Sequence, residues 1–89
     1  MLCENDRRCI RELAAKYHAK RVLLFGSSVR PDAESRDIDI AVEGIEPMDF
    51  FKFYGELIFK LSKPVDLVDL SQDREFTGLI RREGVPVYG

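Results

Sequence analysis

Tryptophan is absent from the 89 residues, histidine occurs once, cysteine twice, and neither acid nor base dominates. With 14 Lys and Arg against 16 Asp and Glu, the net charge is −2. The chain therefore lacks the basic surface with which proteins grip nucleic acid by general electrostatics. One histidine, His18, and two cysteines, Cys3 and Cys9, cannot supply the Cys and His quartet of a structural zinc site. The two cysteines fall in one expected helix at a spacing that turns them to different faces, so they read as free thiols, which favours a reducing, cytoplasmic setting. No run approaches the roughly 20 apolar residues of a membrane span. The start, MLCENDRRC, is charged where a signal peptide needs an apolar core.

What is present suits one globular domain over residues 1–89: 45% of residues are hydrophobic and 34% charged. The size lies near the lower limit for a core without disulfides, metals or a partner. Ile10, Leu13, Ala14 and Tyr17 recur at helical spacing with charged residues between them, so residues 5–18 are expected to form an amphipathic helix. His18 is expected at its end. Arg21 to Phe25 reads as a strand buried on both faces and ended by Gly26.

Residues 31–36, PDAESR, are polar and turn-like, and Asp37 to Val42 then alternates with period two, a second strand. Pro47 suits a first helical turn, and residues 48–62 are expected to form a helix unusually rich in aromatics. Lys63-Pro64 stops it. Val65 to Leu70 is a third strand. Ser71 or Asp73 is placed to cap a helix with the stripe Phe76, Leu79 and Ile80, ended by Gly84, and Pro86 marks the last extended piece as a sheet edge. The expected class is α/β in the α+β sense, a short mixed sheet with helices packed on it.

The candidate chemistry lies in FGSSVRPDAESRDIDIAV, residues 25–42. Asp37 and Asp39 are two apart in a strand and so share a face, while Ile38, Ile40 and Val42 take the other. Adjacent carboxylates repel and are costly to desolvate unless a cation lies between them or one keeps its proton. A magnesium ion fits, because it takes one or two protein carboxylates together with substrate phosphates and waters. A third carboxylate from a neighbouring strand would allow two ions in the arrangement used for phosphoryl displacement. Asp66 and Asp69 are both available, but they point to opposite faces, and periodicity cannot choose between them. Gly26 permits close backbone approach. The turn after it offers N–H groups to phosphate, Ser27 a hydroxyl, and Arg30 a charge-assisted contact.

Gly26-Ser27, nine residues, then Asp37-Ile38-Asp39, followed later by VDLVDL, resembles the minimal nucleotidyltransferases of the DNA polymerase beta superfamily, small partners of HEPN-domain toxins in prokaryotic toxin–antitoxin pairs. The resemblance covers nearly the whole chain. It implies a palm-like fold that binds Mg²⁺, one or two ions, with ATP, and transfers a nucleoside monophosphate, AMP, to an acceptor hydroxyl on a partner protein. Asp37 and Asp39 would hold metal, Asp66 would be the third metal-binding and catalytic carboxylate, and Gly26, Ser27, Ser28 and Arg30 would hold the triphosphate. The resemblance further implies an oligomer with a HEPN-domain toxin, which would build the other wall of an incomplete cleft. The surplus aromatics of residues 48–62 are a candidate interface. The pattern departs from the family in Val29 before Arg30 and Pro31 after it, and in Arg36 where a serine often precedes the first aspartate. The first departure keeps open an alternative, an antitoxin of weak or no activity that works as a protein-binding module.

Overall fold

The computed structural model describes residues 2–29, 36–72 and 75–89. Three helices, α1 (Glu4–Lys16), α2 (Pro47–Lys60) and α3 (Glu75–Glu83), accompany four strands, β1 (Arg21–Leu24), β2 (Ile38–Glu43), β3 (Val65–Asp69) and β4 (Val85–Tyr88). The sheet runs in the order β3-β2-β1-β4. β1 is antiparallel to both β2 and β4, whereas β2 and β3 are parallel. A parallel pair cannot be joined by a tight turn, and α2 supplies the crossover between β2 and β3. The sheet is thus mixed, as the sequence implied, and Pro86 lies on an edge strand, where its missing N–H costs the ladder least.

Alternation along the strands divides the core. Val22, Leu24, Ile38, Ile40, Val42, Val65 and Val87 project to one face and pack beneath Ile10, Leu13 and Ala14 of α1 and Phe53 and Leu57 of α2. Leu23, Ala41, Leu70 and Ile80 form a smaller cluster on the opposite face, covered by α3. β1 is therefore buried on both sides, which explains its unbroken apolar run.

The helix ends differ slightly from expectation. α1 stops at Lys16, two residues early, because His18 turns the chain with a left-handed φ of 59° and its N–H donates to Ala15 O at 3.2 Å. α2 begins with Pro47 in its first turn and ends at Lys60, ahead of the expected boundary at 62. Buried Asp6 fixes that end: its carboxylate accepts from the Ser62 N–H at 3.1 Å and from the Ser62 hydroxyl at 2.5 Å, tying α1 to the segment after α2. The Asp73 considered as a cap for α3 lies outside the described residues, as does most of the polar connection 31–36.

The aromatics of α2 separate by direction. Phe53 and Leu57 are buried and the Tyr54 hydroxyl donates to Val65 O at 3.1 Å, while Met48, Phe51, Ile58 and Phe59 stand exposed on the outer face. Among the described residues no helix is long and apolar enough to cross a membrane.

Candidate active site

The face that carries α3 also carries the acidic residues. Asp39 precedes Ala41 by two positions in β2 and so points with it, away from the larger core. Parallel pairing sets Asp39 directly beside Asp66 and Ala41 beside Val68. This register separates the two aspartates of β3. Asp66 stands next to Asp39, whereas Asp69 pairs with Val42 on the other alternation, and its Oδ1 accepts from the Ser71 N–H at 2.9 Å. Asp69 holds a turn. Asp37 is exposed and lies immediately before β2, so the strand starts one residue later than its alternation suggested.

The turn between β1 and β2 is built against Asp39. Gly26 to Val29 form a single 3₁₀ turn, with Gly26 at φ 61°. A Cβ on Gly26 would lie 2.9 Å from Asp39 Oδ2, so the glycine is required both by its backbone angle and by the carboxylate that passes over it. Ser28 is buried, and its Oγ accepts a hydrogen bond from the Asp39 N–H at 2.9 Å, while Phe25 N–H donates to Asp39 O at 3.1 Å. Both backbone groups of Asp39 are therefore fixed from the β1 side. Ser28 thus acts on the position of Asp39, a task its place in the sequence motif did not reveal. Ser27 lies in the same turn, and Arg30 lies outside the described residues.

Further along β2, Glu43 accepts from Arg81 Nη2 at 2.7 Å and from Arg21 Nε at 2.8 Å. Arg81 Nη2 also donates to Leu70 O at 2.8 Å, so one guanidinium clamps α3 to the ends of β2 and β3. The hydrogen bond from Arg81 holds the Glu43 carboxyl below the usual carboxylate range; burial opposes this, and the bond from Arg21 adds to it. Sequence spacing gave no hint of this arrangement, which joins residues 21, 43 and 81 across three elements.

Among the described residues, no three acidic, histidine or cysteine side chains are already gathered as a metal cage. The arrangement is instead open: Asp39 on β2 with Asp66 alongside on β3, Asp37 just before β2, and a glycine turn next to Asp39. Oxygen donors in this number suit a hard cation that completes its shell with phosphate and water, and do not suit a closed protein cage.

Comparison with known proteins gives the same direction. The family described as polymerase beta, nucleotidyltransferase, matches residues 8–89. A Methanocaldococcus jannaschii protein, provisionally named a protein adenylyltransferase, is 40% identical over 70 residues, which make up 78% of this chain and 67% of that one. Among solved structures, a toxin–antitoxin with AMP-PNP superposes with a TM-score of 0.75 at 24% identity, over 93% of this chain and 73% of that one. A structure provisionally described as a minimal nucleotidyltransferase superposes with a TM-score of 0.73 at 28% identity, over 90% and 87%. The α+β fold is shared with both solved structures, and a family match that leaves out only the first seven residues shows that the chain belongs to the polymerase-beta nucleotidyltransferases.

Proposed function

We propose that this nucleotidyltransferase moves a nucleoside monophosphate, AMP from ATP, onto a hydroxyl of a partner protein, and that the partner is a HEPN-domain toxin which the transfer neutralises. The observation that carries the reading is the register of Asp39 beside Asp66, with Gly26 turned under the Asp39 carboxylate. The relative named for protein adenylylation and the fold neighbour described as a toxin–antitoxin with AMP-PNP support the substrate and the partner.

In this reading Asp37 and Asp39 hold Mg²⁺, one ion or two, with the phosphates of ATP. The metal supplies charge neutralisation at the phosphates and a template for in-line displacement. The N–H groups of the Gly26–Val29 turn, with Ser27 and Arg30, hold the triphosphate. The acceptor O–H gives its proton to the Asp66 carboxylate as its oxygen bonds to the α-phosphorus, and the bond to the β-phosphate breaks to release pyrophosphate. The exposed apolar side chains of α2, Met48, Phe51, Ile58 and Phe59, form the surface against which the acceptor protein docks.

The test is incubation with Mg²⁺ and α-labelled ATP, with and without the product of the neighbouring gene if that encodes a HEPN-like protein, followed by mass spectrometry, for wild type and Asp37→Asn. The expected result is AMP on the partner with wild type only. The exposed face of α2 also favours a second reading, an antitoxin that works by occlusion alone. A stable complex that acquires no label with any nucleotide would establish that one instead.

A further inference from the structure

On the sheet face that carries the aspartates, a cavity of about 230 Å³ opens between the Gly26 turn and α3, lined by Phe25, Gly26, Val29, Phe76, Leu79 and Glu83 among others. Phe25 and Phe76 meet edge to face, with centroids 5.7 Å apart and rings at 84°. Phe76 is 51% exposed and Leu79 41%, so the helix holds apolar surface open at the cavity mouth without closing it. Glu83 is exposed in the last turn of α3, where the helix dipole disfavours a carboxylate, and it forms no ion pair among the described residues. Among the described residues, no lining side chain offers a hydrogen-bond donor.

Gly26 belongs both to this cavity and to the catalytic strip, since Asp39 Oδ2 would lie 2.9 Å from a Cβ placed on it. We propose that the cavity receives the base of the bound nucleoside triphosphate, an amino-bearing purine, which stacks on the phenylalanine pair while Glu83 accepts a hydrogen bond from its exocyclic amine. The inference rests on the transferase reading given above and adds to it the seat and the selectivity of the base. Several features agree with that occupant. The volume lies below the roughly 300 Å³ at which pockets for drug-sized ligands begin, so it admits a base while ribose and phosphates extend past Gly26 toward Asp37 and Asp39. Perpendicular rings let a planar ligand lie on the face of one and against the edge of the other. With Glu83 as an acceptor and no side-chain donor among the described lining residues, a base that presents N–H₂ is favoured over uracil, whose single N–H is flanked by two carbonyl oxygens.

Calorimetric titration in Mg²⁺ with ATP, UTP and inorganic tripolyphosphate, on wild type, Phe76→Ala and Glu83→Ala, tests it. Wild type is expected to bind ATP about tenfold or more tighter than tripolyphosphate. Phe76→Ala should remove most of that advantage and leave tripolyphosphate binding unchanged. Glu83→Ala, an exposed position whose loss leaves the fold intact, should narrow the preference for ATP over UTP. Tripolyphosphate bound as tightly as ATP, or an ATP-to-UTP ratio insensitive to both variants, overturns the inference and leaves the transferase reading standing. Failure of wild type to bind any of the three overturns both.

Discussion

The two faces of the sheet come from the same strands and do opposite work. On one, Ile38, Ile40 and Val42 lie under two long helices, and the core beneath α1 and α2 contains most of the buried side chains. On the other, among the described residues, Asp39, Ala41 and their neighbours share the face with the nine-residue α3, and the cluster there is small. β2 thus carries core side chains and a carboxylate on alternate faces. Stability comes from the closed face, which leaves the other free to expose charge and an open cavity. A domain of this size can hold an unfavourable acidic strip because its core does not depend on that side.

Neighbouring residues of β2 offer the sharpest way to break the comparison. Asp39→Asn is expected to lower transfer about a thousandfold, roughly 4 kcal/mol of barrier, while thermal stability stays the same or rises slightly as repulsion is relieved. Ile40→Ala, one residue along at a fully buried position, should cost about 2–5 kcal/mol of folding free energy in a urea titration. If Asp39→Asn unfolds the protein, the division of labour is wrong. A smaller effect is expected at the seam between the faces. Gly26→Ala places a side chain at φ 61° against Asp39 Oδ2, and should lose about 1–2 kcal/mol of stability by denaturation together with a fall in transfer greater than that loss explains.

The smallest effect concerns how α3 is held. Glu43 has a folded-state pKa depressed by Arg81 and Arg21, so the ion pairs contribute stability above the unfolded value near 4.5 and lose it as pH falls through the folded value. Glu43→Gln should therefore melt earlier than wild type at neutral pH, with the gap closing below pH 4.5. The gap stays under about 1 kcal/mol, because Arg81 and Arg21 are each more than a third exposed.

Sequence and structure agree where the physics is local. Period-two alternation in Asp37 to Val42 separates acid from core, and Pro47 and Pro86 announce a helix start and a sheet edge. Features that depend on register were not legible. Periodicity leaves Asp66 and Asp69 open, where the family resemblance points to Asp66, and it is the pairing of β2 with β3 that sets Asp66 beside Asp39. Phe76 reads as core in a helical stripe, yet it stands half exposed at a cavity mouth, against Phe25. The Arg81–Glu43–Arg21 bridge likewise joins residues that only the folded sheet brings together.

Ser28 bears on how a chain of this kind would decay if its chemistry were no longer selected. Its hydroxyl receives the Asp39 N–H and so keeps the first hairpin of the sheet in register, a duty that persists whether or not nucleotide is ever bound. Drift would therefore spare the serine turn, while the carboxylates would be free to change. A descendant that merely occluded its partner would keep Gly26 and Ser28 and lose Asp37 or Asp39. All four residues stand in this chain.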